Sequence, residues 1–215
     1  MDITYLGHSA FRIRGKTVTV VTDPYASDVV GLKFPKHVEA QIVTVSHDHE
    51  DHNDVSAIEG SPFVVTGPGE YEIKGVSIVG VSTFHDGDKG KTRGKNSVYR
   101  IEIDGLTVVH LGDLGHMLET ADIEALDGVD ILLVPVGGVY TIDAHQAATL
   151  VHEIEPTIVI PMHYGRAGLN GKVFSELSSV SVFLKEIGKE DTVPQAKFTI
   201  TKEKLPEEFQ VVVLE

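Results

Sequence analysis

Ile42-Val43-Thr44-Val45-Ser46-His47-Asp48-His49-Glu50-Asp51-His52 passes from a β-branched apolar run straight into a polar segment carrying three histidines and three acids. The first four residues read as a strand, and Ser46 opens a loop at its carboxyl end. Alternate residues of extended chain point the same way, so His47 and His49 can converge on one ion. Asp51 and His52, one turn further, can then face a second. A histidine tag is consecutive and terminal, whereas this run is internal and interspersed with acids. Imidazole nitrogen and carboxylate oxygen suit zinc, manganese and iron.

Two sites of about four ligands each, water included, need more than these four residues. Further ligands are expected at the ends of later strands. His85 follows Val79-Gly80-Val81-Ser82-Thr83-Phe84, Asp113 follows Val108-Val109-His110-Leu111-Gly112, and His163 follows Ile158-Val159-Ile160-Pro161-Met162. Each is a polar residue at the carboxyl end of an apolar strand, where sites are commonly built.

The rest of the chain has the same texture. Ile3–Leu6, Ala10–Ile13 and Thr17–Val21 read as early strands, followed by Phe63–Val65, Glu72-Ile73, Val76–Val81, Ser97–Ile103 and Leu106–Leu111. Ile131–Val134 and Thr157–Ile160 are almost wholly apolar, as strands buried on both faces should be. Helical spacing marks Asp143–Ile154, with Ala144, Ala147, Ala148, Val151 and Ile154 on one face and Asp143 as cap. Phe174–Ile187, Thr120–Leu126 and a short piece after Asp54 are weaker helices. Phe198–Thr201 and Phe209–Val213 read as a late hairpin or an oligomer edge. No repeat or linker interrupts residues 1–215, so one domain of α+β or α/β class is expected, with two mixed sheets face to face and helices outside.

Composition narrows the function classes. With 18 basic against 32 acidic residues the formal charge is −14, the wrong sign for a nucleic-acid partner, whose phosphates dominate affinity. The one basic cluster, Lys89–Lys95, reads as a solvated loop. There is no cysteine, so metal must be held by nitrogen and oxygen. No apolar run reaches the roughly 20 residues of a membrane span, and Met1-Asp2-Ile3-Thr4-Tyr5 lacks the pattern of a secretory signal. A cytoplasmic protein with a small-molecule substrate, and neither nucleic-acid nor membrane partner, is expected.

At this point the chain resembles the metallo-β-lactamase superfamily. The family's His-x-His-x-Asp-His motif is similar to His47–His52, its early strand-ending aspartate to Asp23, and its isolated histidine to His85. Its Gly-Asp pair is similar to Gly112-Asp113, and its final histidine to His163 in Pro161-Met162-His163-Tyr164-Gly165. The resemblance implies a four-layer αββα sandwich with two divalent ions at one edge, zinc first and manganese or iron as alternatives. It further implies that His47, His49 and His85 bind one ion, that Asp51, His52 and His163 bind the other, and that Asp113 bridges them. A bridging hydroxide would then cleave a small ester, lactone or phosphoester. Leu6–Phe11, Arg93–Ser97 and Val134–Gly138 resemble a small branch of uncharacterised hydrolases related to L-ascorbate-6-phosphate lactonase.

The remaining roles follow from that frame. Asp23 and His110 are expected to orient ligand histidines. His8 and His116 are expected to border the site, where either could protonate a leaving group, and Asp51 joins them as a catalytic candidate. Arg93, Asn96 and Tyr164 are candidate substrate contacts, Arg93 for a phosphate or carboxylate. His37, His145 and His152 read as surface residues. Competing functions are phosphodiester cleavage in nucleic acid or phospholipid, a di-iron redox protein, and a non-catalytic metal-binding protein. β-Lactam hydrolysis is disfavoured by the aspartate at the bridging position.

Overall fold

The structure is a computed structural model that describes residues 1–215. Strands β1 (Asp2–Gly7), β2 (Ala10–Arg14) and β3 (Thr19–Thr22) form an antiparallel meander. After helix α1 (Ser27–Val30), β4 (Ile42–Val45) and β5 (Phe63–Thr66) extend it in parallel. A second meander follows through β6 (Gly69–Ile73), β7 (Val76–Phe84), β8 (Lys95–Ile103) and β9 (Leu106–His110). Helix α2 (Thr120–Ala125) leads to β10 (Ile131–Pro135), and α3 (Ala144–Ile154) leads to β11 (Ile158–Met162), both strands parallel to β9. Helix α4 (Val180–Glu186), β12 (Phe198–Thr199) and β13 (Gln210–Val211) complete the chain. One sheet runs β12-β1-β2-β3-β4-β5 and the other β13-β11-β10-β9-β8-β7-β6.

Alternation along the strands produces the layers. Ile3, Phe11, Ile13, Val20 and Ile42 meet Ile78, Ile101, Val108, Ile131, Leu133 and Ile160 in the core between the sheets. The opposite faces of the same strands carry Val109, Leu132, Val134 and Val159, covered by Ala147, Leu150, Val151 and Phe183 of α3 and α4. On the far side Val21, Val43 and Val45 are covered by Tyr25, Val30 and Phe174, so that outer layer is α1 with loop segments. This is the four-layer α+β sandwich of the sequence reading, with its helices concentrated on one face. Helix α3 starts with a capping box in which Asp143 accepts from the Gln146 N–H at 2.8 Å, an arrangement worth about 1 kcal/mol.

Two sequence expectations change. The helix expected from Phe174 begins only at Val180, because the backbone at Ser178 is already engaged: Gly165 N–H donates to the Ser178 carbonyl and Ser178 N–H to Gly137. The last two strands are not a hairpin. β12 pairs with β1 and β13 with β11, so the tail caps one edge of each sheet.

Candidate metal centre

The sheets are stitched together where the polar segment leaves β4. Ser97 N–H donates to the Ser46 carbonyl at 2.8 Å, and the Tyr99 hydroxyl donates to the Val45 carbonyl at 2.8 Å. At this edge β3 delivers Asp23, β4 delivers Ser46 and His47, β7 delivers His85, β9 leads to Asp113 and β11 to His163. The turn before Asp113 requires Gly112. Its φ is +57°, and a Cβ there would run into Asn96 Oδ1 and, at 2.6 Å, Ser46 Cβ.

The donors fall into overlapping groups whose ligand atoms all lie within 4.8 Å of one another: His47, His49 and His85; His8, Asp51, His52 and His163; His47, His52 and Asp113. Asp113 sits at the middle. Its Oδ2 is 3.3 Å from His85 Nε2 and 3.2 Å from His163 Nε2, and its Oδ1 is 3.3 Å from His52 Nε2. Donors about 2.1 Å from a shared ion stand roughly 3.0–3.4 Å apart, so these spacings are those of a coordination polyhedron. His47 Nε2, His52 Nε2, His163 Nε2 and Asp113 Oδ1 are buried and hydrogen-bond nothing. Buried polar atoms are ordinarily satisfied, and these four orphans, spread over donor groups that share His47 and His52, fit bound cations.

The tautomers are set from behind. Asp23, wholly buried at φ +41°, accepts from His52 Nδ1 at 2.8 Å, leaving the Nε2 lone pair free. Ser46 Oγ donates to Asp23 Oδ2 at 2.6 Å and lies 2.9 Å from His47 Nδ1. One carboxylate thereby orients a histidine from each end of the cluster.

Electrostatics agree with a donor set. Burial pushes His47 down to about 3, aided by neighbouring His52, and pushes His8 down to about 4, aided by His163. His85 and His110 are lowered for the same first reason. Burial would raise the Asp113 carboxyl, but His163 and His52 outweigh it and hold it well below the usual range. Asp51 is lowered by His52 and His8 against the same opposing burial, and Asp23 by His110 and His52. His52 is the exception: burial disfavours its charge, yet Asp113 and Asp51 win and raise it, so a cation taking its Nε2 has a proton to displace. Three ionised carboxylates therefore demand positive charge at the centre of the cluster.

Several expected roles change. His116 accepts from Phe84 N–H at its Nε2 (3.1 Å) and faces the Met117 carbonyl with Nδ1 (2.8 Å), so neither nitrogen is free to protonate a leaving group. The His8 side chain has no exposed surface and faces Asp51 Oδ2 at 3.2 Å beneath the Phe174 ring, which removes it as a proton donor to substrate. The Asp51 carboxyl, kept ionised, can accept a proton but has none to give. His110 Nδ1 accepts from Gly112 N–H and its Nε2 lies 2.9 Å from the Ser9 carbonyl, so it steadies the turn before Asp113 and touches no ligand histidine. Asn96 is consumed as well: Nδ2 donates to Thr83 Oγ1 and the Leu111 carbonyl, and Oδ1 accepts from Asp113 N–H at 3.0 Å. Tyr164 is buried with its hydroxyl toward the Leu214 carbonyl, which leaves it no exposed face for a substrate.

Arg93 does border the centre. A groove of about 670 Å³ runs past His47 and His49 between Pro68 and the Arg93–Lys95 segment. A smaller cavity of about 320 Å³ joins His49, Asp51 and Asp113 to Arg93, Tyr140 and Phe174. Sequence reasoning missed Tyr140 and Phe174, which carry no metal-ligand signature, and it missed Asp86. That carboxylate accepts the N–H groups of Asp88, Gly90, Thr92 and Arg93 and shapes the loop that presents Arg93.

The family model of the beta-lactamase superfamily domain matches residues 2–163. The chain belongs to the metallo-β-lactamase superfamily. Its place within the superfamily is with the metal-dependent hydrolases. A UPF0173 metal-dependent hydrolase of Thermococcus onnurineus is 30% identical over 190 residues, 76% of this chain and 84% of that one. Another, from Thermoplasma acidophilum, is 31% identical over 188 residues, 76% and 83% respectively. A crystal structure of a metallo-β-lactamase superfamily protein from Thermotoga maritima, whose Zn-dependent hydrolase activity is an assignment rather than a measurement, is 36% identical with a TM-score of 0.81, covering 100% of this chain and 98% of its own.

Proposed function

We propose that this superfamily member hydrolyses a small ester, lactone or phosphoester with two divalent ions bound at the cluster. The observation that carries this reading is that His47 Nε2, His52 Nε2, His163 Nε2 and Asp113 Oδ1, all buried and unpartnered, belong to adjoining donor groups joined through His47 and His52. In this reading His47, His49 and His85 hold one ion, Asp51, His52 and His163 the other, and Asp113 reaches both. Such ions supply Lewis acidity and bring the pKa of water from 15.7 to about 7. Zinc is the first choice of metal, supported by the description of the Thermotoga maritima neighbour.

The chain's own contribution is orientation. Asp23 and Ser46 fix His52 and His47, Asn96 fixes the backbone of Asp113, and Asp86 fixes the loop bearing Arg93. His49 is exposed and Asp51 half-buried, so the donors open to solvent on one side, where a substrate can approach. The side chains expected to protonate a leaving group are engaged elsewhere, which suits leaving groups whose proton comes from solvent.

Metal analysis of protein purified without chelator tests the reading, paired with activity against bis(p-nitrophenyl) phosphate and a panel of lactones. About two equivalents of zinc or manganese, with hydrolysis abolished by chelation, is the expected result. Iron without hydrolysis, or a protein that takes up no metal, would overturn it.

A further inference from the structure

We propose that Arg93 and Tyr140 together select the substrate, and that this substrate is a small molecule carrying an anionic group beside an apolar one. The proposal rests on the hydrolytic reading and names the substrate class for that same site.

It begins with a strained turn that the fold does not explain. Val139 has φ +63° and is 44% exposed, a conformation in which a branched Cβ is a genuine outlier. Tyr140 N–H donates to the Gly138 carbonyl at 2.7 Å, closing a three-residue turn around Val139 of the rare, strained hand. Strain of this kind persists only where its surroundings over-determine it, and it concentrates at functional sites.

What the turn achieves is the placement of Tyr140. The hydroxyl donates to the Val173 carbonyl at 2.7 Å, so the ring is pinned at both ends. Its centroid lies 6.4 Å from the His163 ring and 6.1 Å from Phe174. Tyr140, Val173 and Phe174 thus form an apolar wall in the cavity whose floor is His49, Asp51 and Asp113. With the tyrosine hydroxyl proton already given to Val173, that wall offers a ligand no hydrogen-bond donor.

Arg93 supplies the complement. Its guanidinium lies 5.5 Å from the centre of the Tyr140 ring, and its backbone N–H is held by Asp86 at 2.7 Å. In a chain of 32 acids and 18 bases, this guanidinium has no carboxylate partner. Stacking on an aromatic face leaves the guanidinium fork free for a carboxylate or phosphate. A ligand filling about 320 Å³ would place its anion on Arg93, its apolar group on Tyr140 and its scissile bond over the donors.

The test is calorimetric binding of benzoate, non-hydrolysable phenylphosphonate and inorganic phosphate to zinc-loaded protein, with zinc content measured for every variant. The tighter of the two aryl probes identifies the anion as carboxylate or phosphate. Tyr140→Ala is expected to weaken that aryl probe by at least about fivefold and to leave inorganic phosphate unchanged, with Tyr140→Phe, which keeps the ring but loses its anchor on Val173, falling between Tyr140→Ala and wild type. Arg93→Ala should weaken all three probes. Val139→Gly should raise the melting temperature, since glycine adopts this φ freely, and weaken the aryl probe. Aryl binding unchanged in Tyr140→Ala, or binding of all three probes unchanged in Arg93→Ala, would overturn the proposal. Wild type that binds the probes but hydrolyses no ester would support the wall and sink the hydrolytic reading.

Discussion

Asp23 Oδ2 accepts the Nδ1 proton of His52 at 2.8 Å, and neither side chain has exposed surface. The same carboxylate holds Ser46 by both its N–H and its hydroxyl. Replacing Asp23 with Asn keeps the shape and removes the charge that orients two donors. Metal affinity should fall about 10–100-fold while the fold persists, the range for groups that orient ligands from behind. Competition with a chromophoric chelator measures this, and wild-type affinity in Asp23→Asn would remove Asp23 from the centre.

Much of this arrangement was legible in the sequence because ligand chemistry is local. The His47–His52 run, and the polar residues ending the strands before His85, Asp113 and His163, announce themselves by type and position. What was not legible depends on where a side chain's hydrogen bonds go. Asn96, His116 and His110 stand near the donors in sequence as any binding residue would, yet each is spent on neighbouring backbone. The fold shows the same division. Parity along β10 places Ile131 and Leu133 inward and Leu132 and Val134 outward, a pattern readable in the sequence. The separation of β12 and β13 onto different sheets depends on which edges remain open, and no local pattern encodes that.

Asn96 tests the distinction. Asn96→Ala strands the Leu111 carbonyl and the Asp113 N–H in the interior. Leaving buried partners unsatisfied costs about 1–3 kcal/mol each. The expected outcome is a large drop in the urea midpoint together with reduced metal occupancy. A variant of unchanged stability and raised KM would return Asn96 to the role of substrate contact.

His116→Ala should behave differently from the loss of a proton donor. The ring accepts the Phe84 N–H just ahead of His85, so the expected cost is stability, about 1 kcal/mol for one such bond. The limbs of the pH–rate profile should stay where they are. Loss of the alkaline limb in this variant would make His116 an acid after all.

Metal removal has a direction set by the carboxylates. Asp51 and Asp113 are held ionised around the same space, with Asp23 behind them, and a cation binding only the folded state stabilises it by mass action. Free ion at a hundred times its Kd adds about 2.7 kcal/mol. Zinc should raise the melting temperature of chelator-treated protein, and chelator should lower that of the protein as purified. A melting temperature indifferent to both would be incompatible with the centre described.

Asp86 gives the pH dependence a local reading. Its carboxyl is lowered from 3.8 to about 2, first by the Arg93 N–H, with those of Thr92, Asp88 and Gly90 together overcoming the opposing desolvation. A depressed folded pKa means that the opened loop binds the proton more readily than the closed one. The stabilisation is therefore complete above 3.8 and is lost as pH falls through about 2. Because Asp23 and Asp113 lose stability in the same direction, global unfolding cannot isolate the effect, and amide exchange at Gly90, Thr92 and Arg93 can. Protection at those amides should fall across that window ahead of the β-strand amides. Asp86→Asn should show weakened protection at every pH, with no step. Amides whose protection tracks the strands throughout would mean that Asp86 does not shape the loop presenting Arg93.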